Sequence, residues 1–187
     1  MLALPNSARL YLRPASLADA REFLQLDQDP EVMHYVGGVS TGSDLTATTA
    51  RLAKLISGYA RQSGLGLWAC CLRADDQFIG WFMLKACTIS FLAEDGACLE
   101  PTEHIELGYR LARRFWGHGY ATEMARQVVA HGLEQLALDE ILAVTIPENQ
   151  ASVRVLEKAG LGYRGRGTYH GTNVVIYTVT NARSIDP

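Results

Sequence analysis

The chain has 187 residues, a formal net charge of −3 and 48% hydrophobic residues, which suits one globular domain with a full core. The weak negative charge provides no basic surface of the kind that binds nucleic acid. No apolar run approaches the ~20 residues of a membrane helix, and the first residues lack the pattern of a secretory leader. We therefore predict a single cytoplasmic domain over residues 1–187, with neither nucleic acid nor a membrane as partner.

The four cysteines show no metal-binding pattern. They lie at positions 70, 71, 87 and 98, without a C-x-x-C pair or an accompanying set of ligands at metal-binding spacing. We interpret them as reduced thiols and predict no metal centre.

Hydrophobic spacing predicts the elements of the first half of the chain. We expect a helix capped by Ser16 and a short helix with Pro30 at its first position. The inward face of the first helix is predicted to be Leu17, Ala20, Phe23 and Leu24. The other elements are a strand at 10–13, a helix at 45–59, and strands at 67–72 and 78–85 joined by a turn at 74–77.

The second half alternates strands with helices. We expect an irregular acidic loop over 90–102 and then a strand to residue 111. The strand is predicted because the larger apolar residues at 105, 107, 109 and 111 alternate with Glu106, Gly108 and Arg110. Apolar residues at three- and four-residue steps predict an amphipathic helix over 121–136. The remaining elements are a strand at 141–146, a helix at 150–159, and strands around residue 163 and at 174–179.

Two glycines, Gly117 and Gly119, stand directly ahead of the amphipathic helix. The first N–H groups of a helix lack internal partners and carry partial positive charge, so this end attracts anions. Glycines let the backbone turn tightly and approach phosphate oxygens. A dinucleotide fingerprint is excluded because Thr122 stands where its third glycine belongs, and no Gly-Lys-Ser/Thr ending marks a P-loop. The pattern predicts a diphosphate cradle, the alternative being an ordinary turn.

The motif Arg114-x-x-Gly117-x-Gly119, followed by Tyr-Ala-Thr-Glu, resembles the acyl-CoA loop of the GNAT acyltransferases. Segments 9–14, 29–33 and 148–160 resemble the branch that includes the ribosomal-protein N-acetyltransferases, and they occur in the family's order. The resemblance implies an α+β GNAT fold, with a mixed, mostly antiparallel sheet flanked by helices and a V-shaped splay at the cofactor site.

The resemblance also implies acetyl-CoA as donor, with CoA as product. Asn149 and Ser152 are expected to reach the pantetheine arm and sulfur, the simpler interpretations being a helix cap and an ordinary first-turn hydroxyl. A backbone N–H of the 107–111 strand would polarise the thioester carbonyl. The implied cofactor residues are Leu107, Tyr109, Leu111, Arg114, Trp116, Gly117, His118, Gly119, Tyr120, Ala121, Thr122, Asn149 and Ser152.

Acetyl transfer to an amine needs a base, because an alkyl ammonium with a pKa of ~10 is mostly protonated at pH 7. Glu106 is the candidate base, against the alternative of a solvated strand charge, and His104 on the same face is a weaker candidate. Many relatives have a tyrosine seven residues after the asparagine, where this chain has Leu156. The general acid is therefore open, with Ser152 or water as replacement, and direct transfer in a ternary complex is favoured over a covalent route.

The acceptor is expected to be a primary amine, either a protein N-terminus or a small molecule. An aminoglycoside-type antibiotic is an alternative that would favour an acidic cleft, for which the sequence offers Glu94, Asp95, Glu100 and Glu103. A non-catalytic acyl-CoA-binding module is the other alternative, supported by the missing tyrosine. Family analogy suggests a homodimer through the late strands. The sequence leaves the acceptor, the oligomeric state and the role of Glu106 open.

Overall fold

The computed structural model describes residues 3–36, 44–59 and 64–181. Seven strands lie in these ranges: β1 Leu10–Pro14, β2 Gly66–Leu72, β3 Phe78–Phe91, β4 Thr102–Leu111, β5 Glu140–Thr145, β6 Gly162–Tyr169 and β7 Thr172–Thr180. The α-helices in the same ranges are α1 Ala20–Gln28, α2 Pro30–Met33, α3 Leu45–Tyr59, α4 Tyr120–Ala130 and α5 Gln150–Lys158. No helix in the described ranges is long and apolar enough to cross a membrane.

The strands form a mixed sheet in the order β1-β2-β3-β4-β5-β7-β6. β4 and β5 are parallel, whereas β1 with β2, β5 with β7, and β6 with β7 are antiparallel. The predicted α+β class with a mostly antiparallel sheet is therefore confirmed.

The chain divides into two compact units, and β3, β4 and α4 each contribute residues to both. Unit 1 comprises Met1–Met83 and Tyr109–Met124, and unit 2 comprises Leu84–Gly108 and Ala125–Pro187. Each unit is described by itself below, and the single-domain assignment stays a prediction.

The core of unit 1 lies where α1 and α3 pack beside the strands. Phe23 is buried and its ring stacks on Trp81, with centroids 6.3 Å apart. The buried carboxylate of Asp27 binds Arg110 at 2.5 Å and also binds Arg51. Since a buried charge is tolerated only when it is paired, this cluster fixes α1 against α3 and the end of β4.

The strands of unit 2 close on themselves. β6 pairs with β7 and also with the end of β3, where Ser90 is opposite Thr168 and Phe91 is opposite Gly167. Together with the sheet order, this pairing makes a ring of five strands, β3-β4-β5-β7-β6. A Cβ at residue 167 would lie 2.4 Å from the Ser90 carbonyl oxygen, so only glycine permits the approach. The apolar cluster of this ring is Ile89, Leu142, Val174 and Ile176.

Most predicted elements are confirmed, including the helix at 45–59 and Pro30 at the first position of α2. The loop predicted from residue 90 is wrong at its ends, because β3 runs to Phe91 and β4 begins at Thr102. The inward assignment of Leu17 is also wrong, since its side chain is 51% exposed. It lies in a 3-10 turn, Leu17–Asp19, that precedes α1 and has a different periodicity.

Ser16 marks the start of this turn as predicted, but the carboxylate of Asp19 makes the decisive bond. The Ser16 backbone N–H donates to Asp19 at 2.8 Å, and Arg13 binds the same carboxylate at 2.6 Å. The helix predicted over 121–136 is α4 followed by a π turn, His131–Gln135. The Leu136 N–H accordingly bonds the His131 carbonyl, five residues back.

Candidate functional site

The loop before α4 presents a row of unused backbone donors. Gly117 and Gly119 have φ angles of 78° and 79°, in the left-handed region that favours glycine. The N–H groups of residues 117 to 122 donate to no residue in the described part of the chain. α4 begins within this row, at Tyr120, and adds its partial positive charge. The loop therefore has the geometry of an anion site.

The side chains of the loop fix its shape. Trp116 donates from Nε1 to the Leu111 carbonyl at 2.8 Å, and the His118 Nδ1 lies 2.8 Å from the Trp116 carbonyl. The His118 ring stacks on Tyr120, with centroids 5.5 Å apart. Both side chains are therefore engaged, and the Trp116 backbone N–H also donates to the Arg113 carbonyl at 3.0 Å, so of these two residues only His118 has a backbone N–H in the unused row.

Arg114 stands beside a cavity in unit 1. Its guanidinium lies 4.7 Å from the centre of the Phe115 ring. The cavity has a volume of about 510 Å³ and is lined by charges of both signs, Arg113 and Arg114 together with Glu22 and Asp29. Arg114 is thus accessible beside the loop, as a phosphate-binding arginine requires.

Sequence analysis missed the attachment of the loop and α4 to the segment that precedes β1. Arg9 and Glu123 are 114 residues apart in the chain, yet the Arg9 Nη2 lies 2.6 Å from the Glu123 carboxylate. The same nitrogen donates to the His118 carbonyl at 3.1 Å. Both residues belong to the segments that resemble the family, but charge complementarity over such a separation gives no signal in one sequence.

In unit 2, Glu106 lies on the face of β4 that turns into the ring of strands. Its side chain is only 7% exposed, so the alternative of a solvated strand charge is wrong. The Oε2 atom accepts a hydrogen bond of 2.6 Å from the Tyr169 hydroxyl and lies 3.1 Å from the Lys85 ammonium. Lys85 also donates to the Tyr169 hydroxyl at 2.7 Å. The carboxylate is therefore oriented by two partners that the sequence did not reveal.

His104 shares the face of Glu106, as the strand alternation predicted. Its Nδ1 lies 3.0 Å from the Glu140 carboxylate, and its ring meets Phe91 edge-on at 5.7 Å. These contacts engage the imidazole away from Glu106.

The cysteine thiols are all free, and three of them are held in the neutral form. Burial, together with the negative charge of Glu106, raises the pKa of Cys87 to about 11. Burial also raises the pKa values of Cys70 and Cys71, which lie in β2. A thiol that stays protonated at neutral pH is a poor nucleophile, so the chemistry of these three sites does not favour a covalent route.

The start of α5 confirms the predicted cap. The Asn149 Oδ1 accepts a hydrogen bond of 3.1 Å from the Ser152 backbone N–H, and Gly160, with φ of 98°, follows the helix end. Leu156 is 1% exposed and belongs to the core. The position of the family tyrosine therefore serves packing here. A cofactor role for Asn149 and Ser152 stays a prediction.

The pairing of β4 with β5 is consistent with the implied splay. In the described chain the two strands pair at one position, Glu106 opposite Leu142, although both are longer. The side chains of Leu107 and Leu111 are buried, and Tyr109 stacks on Phe82 at 5.3 Å. These residues can offer a ligand their backbone groups, which is the role that the resemblance implied.

A glycine loop with unused amides at a helix start, preceded by a strand of a mixed sheet, has a geometry suited to an anion such as a diphosphate. Residues 9–162 match the acetyltransferase (GNAT) domain, and the chain belongs to this family. The family prediction, an acyltransferase of the GNAT superfamily, is confirmed.

Similar proteins agree with the family. FsC-acetyl coenzyme A-N(2)-transacetylase of Aspergillus fumigatus is 34% identical over 159 residues, which are 83% of this chain and 63% of that protein. The chain thus spans less than two thirds of that relative's length. The uncharacterized protein YkkB of Bacillus subtilis is 32% identical, over 74% of this chain and 72% of its own length. The structure of RimL, a ribosomal alpha-N-protein acetyltransferase in complex with coenzyme A, superposes with a TM-score of 0.76 and 16% identity, covering 99% of this chain and 100% of its own.

Proposed function

We propose that the protein transfers an acetyl group from acetyl-CoA to a primary amine by direct attack in a ternary complex. The observation that carries this proposal is the row of unused N–H groups at residues 117 to 122, held at the amino end of α4 in a chain of the GNAT family. A diphosphate would supply oxygens that accept hydrogen bonds from these N–H groups, and its negative charge would face the positive end of the helix dipole.

The residues of the loop fit this group. A Cβ added at Gly117 would meet nothing within 4 Å, so the space in front of the backbone is open to a ligand. We propose that the amides of residues 117 to 122 hold the diphosphate and that Arg114 adds charge. We further propose that Asn149 and Ser152 bind the pantetheine arm and that the backbone of β4 polarises the thioester carbonyl.

Glu106 is the proposed base. Tyr169 and Lys85 engage its Oε2, whereas its Oε1 accepts no hydrogen bond from any residue in the described ranges. A carboxylate held on one side and available on the other can take a proton from an ammonium or from a water beside it. The neutral amine nitrogen then forms a bond to the acetyl carbon, the carbon–sulfur bond breaks and the sulfur leaves as thiolate. The nitrogen gives up its second proton to water, which leaves the amide product.

The departing thiolate needs little help from a general acid. A thiol with a pKa of about 8.5 is a fair leaving group at neutral pH, so water or the Ser152 hydroxyl suffices as proton donor. The buried Leu156 cannot supply this proton. We therefore propose that the rate depends mainly on holding amine and thioester together and on the base.

The acceptor is proposed to be an α-amino group or a small primary amine rather than a polycationic antibiotic. The four acidic residues that would line an acidic cleft are all exposed. None of them makes an ion pair with a described lysine, arginine or histidine. They are Glu94, Asp95, Glu100 and Glu103. A solvated acidic loop attracts cations weakly, since water and salt screen it.

The experiment is a calorimetric titration of the purified protein with acetyl-CoA, followed by a thiol-release assay with peptides, amino acids, polyamines and an aminoglycoside. We expect saturable binding and release of thiol with at least one amine. Failure of the wild-type protein to bind acetyl-CoA would overturn the proposal. Binding without turnover for any amine would favour the acyl-CoA-binding module, for which the replacement of the family tyrosine by Leu156 is the supporting observation.

A further inference from the structure

The amino end of α4 contains a charge that conflicts with an anionic ligand. Glu123 is in the first turn of this helix, four residues after Gly119. A carboxylate there interacts favourably with the positive end of the helix dipole. A bound phosphate would make the same interaction at the same end of the helix, so the two negative charges would lie close together. Left uncompensated, it would repel the diphosphate of the cofactor. The structure must therefore neutralise Glu123 if the loop is to bind acetyl-CoA.

The carboxylate is neutralised by the segment that precedes β1. Arg9 reaches Oε2 of Glu123 with Nε at 2.7 Å and Nη2 at 2.6 Å, and its backbone N–H donates to Oε1 at 3.1 Å. The Ser7 hydroxyl donates to Oε1 at 2.7 Å. Burial raises the pKa of Glu123, but the hydrogen bonds from Ser7 and Arg9 outweigh it, so the pKa lies below its usual range. Glu123 is therefore ionised at neutral pH, and Arg9 is the cation that compensates it.

The guanidinium of Arg9 is also fixed against the loop. It lies 4.5 Å from the centre of the Tyr120 ring and donates to the His118 carbonyl at 3.1 Å. In a trans peptide the carbonyl and the following N–H point in opposite directions. Because the His118 carbonyl faces Arg9, the Gly119 N–H faces away from it and away from Glu123. The same contact thus directs one amide of the row toward the open side of the loop.

We propose that Arg9 is a positioning residue for the cofactor, which cancels the charge of Glu123 at the start of α4 and so permits a diphosphate to bind the glycine loop. The inference rests on the proposed function, because it takes residues 117 to 122 as the diphosphate site. It explains why the segment before β1 is bound to the first turn of α4 by two charged residues.

The test is a double-variant cycle read by acetyl-CoA titration. Arg9→Met leaves the carboxylate uncompensated and is expected to weaken binding about 10-fold. Glu123→Gln removes the repelling charge and is expected to bind within about threefold of wild type. The double variant is expected to recover to within about threefold of wild type as well, the remainder reflecting the lost contact to the His118 carbonyl. Arg9→Lys retains the positive charge and should stay near wild type.

Arg13→Met is the matched control. Arg13 lies four residues further along, in β1, and makes an equally short ion pair of 2.6 Å, but with Asp19 and not with Glu123. The Arg13→Met variant is expected to have a lower melting temperature than wild type, with the acetyl-CoA affinity of the folded protein unchanged. Salt gives a second readout, because at about 1 M salt the screening length falls to roughly 3 Å and the defect of Arg9→Met should shrink.

Two outcomes overturn the inference. One is an affinity of Arg9→Met equal to that of wild type, and the other is a double variant as weak as Arg9→Met alone. Both require that the wild-type protein binds acetyl-CoA, so they are distinct from failure of the proposed function, in which the wild type does not bind. Loss of folding in Arg9→Met would appear in its melting curve, and the double variant would then decide the matter: affinity within about threefold of wild type supports the inference, and weaker binding overturns it.

Discussion

The glycine loop and the cluster of Glu106, Lys85 and Tyr169 differ in whether their polar groups have protein partners. The loop leaves the N–H groups of residues 117 to 122 without protein partners in the described chain, whereas the side chains of Trp116 and His118 bond backbone carbonyls. Glu106 is instead buried, with Tyr169 and Lys85 bound to one carboxylate oxygen. Unused donors at a surface indicate a place where a ligand completes the hydrogen bonds, whereas a buried and oriented carboxylate indicates a group that must hold its direction.

The difference separates binding from chemistry. Changes in the loop are expected to alter acetyl-CoA affinity, and changes around Glu106 are expected to alter turnover with little effect on affinity. The following variants test this division.

The largest effect is expected for Gly117→Glu. The residue has a φ of 78°, which strains any L side chain, and the added carboxylate would stand in front of the unused amides. We expect acetyl-CoA affinity to fall about 100-fold. Calorimetry measures it, with Gly160→Glu as control because Gly160 has a φ of 98° and equally open space around its Cβ position. Equal loss in both variants would attribute the effect to backbone strain alone.

Glu106→Gln tests the base. The amide retains the shape of the carboxylate but cannot accept the proton, so kcat is expected to fall about 100-fold. Acetyl-CoA affinity should stay within about twofold, since Glu106 is not a group that the proposal assigns to the diphosphate. Thiol release and calorimetry on the same preparation give both values. An unchanged kcat would remove Glu106 from the mechanism.

Tyr169→Phe is expected to have a smaller effect on turnover. It removes the 2.6 Å hydrogen bond that orients Glu106, and a hydrogen bond to a charged group contributes about 1.5–3 kcal/mol. We expect kcat to fall about 10-fold at unchanged acetyl-CoA affinity. Tyr163→Phe, in the same strand but 59% exposed, should match wild type. A kcat for Tyr169→Phe equal to that of Tyr163→Phe would show that the orientation of Glu106 does not limit the reaction.

The smallest effect concerns the cap of α5. Asn149→Ala removes the 3.1 Å bond to the Ser152 N–H, at a cost of about 1 kcal/mol, so the melting temperature should fall by about 2–4 °C. Asn149→Asp retains a capping oxygen and should melt like wild type. Calorimetry on both variants then isolates the proposed cofactor contact, because Asn149→Asp keeps the cap but loses the amide donor. Equal acetyl-CoA affinity in both variants and in wild type would leave Asn149 as a cap only.

Local patterns in the sequence were sufficient for most of the helices and strands and for the loop. The helix at 45–59 and the cap at Asn149 depend on spacing and on one side chain, so a single sequence carries their signal. The boundary errors have a tertiary cause. Ser90 and Phe91 extend β3 because they pair with β6, which lies far along the chain.

The sequence by itself determined the family, the glycine loop before α4 and Glu106 as a candidate, because each is written in adjacent residues or in a motif. Only the tertiary structure decided that Glu106 is buried beside Lys85 and Tyr169, and that Arg9 neutralises Glu123. These contacts join residues that are 21, 63 and 114 positions apart. Charge and hydrogen-bond partners at such separations are selected by packing of the strands, and no local pattern in the chain encodes them.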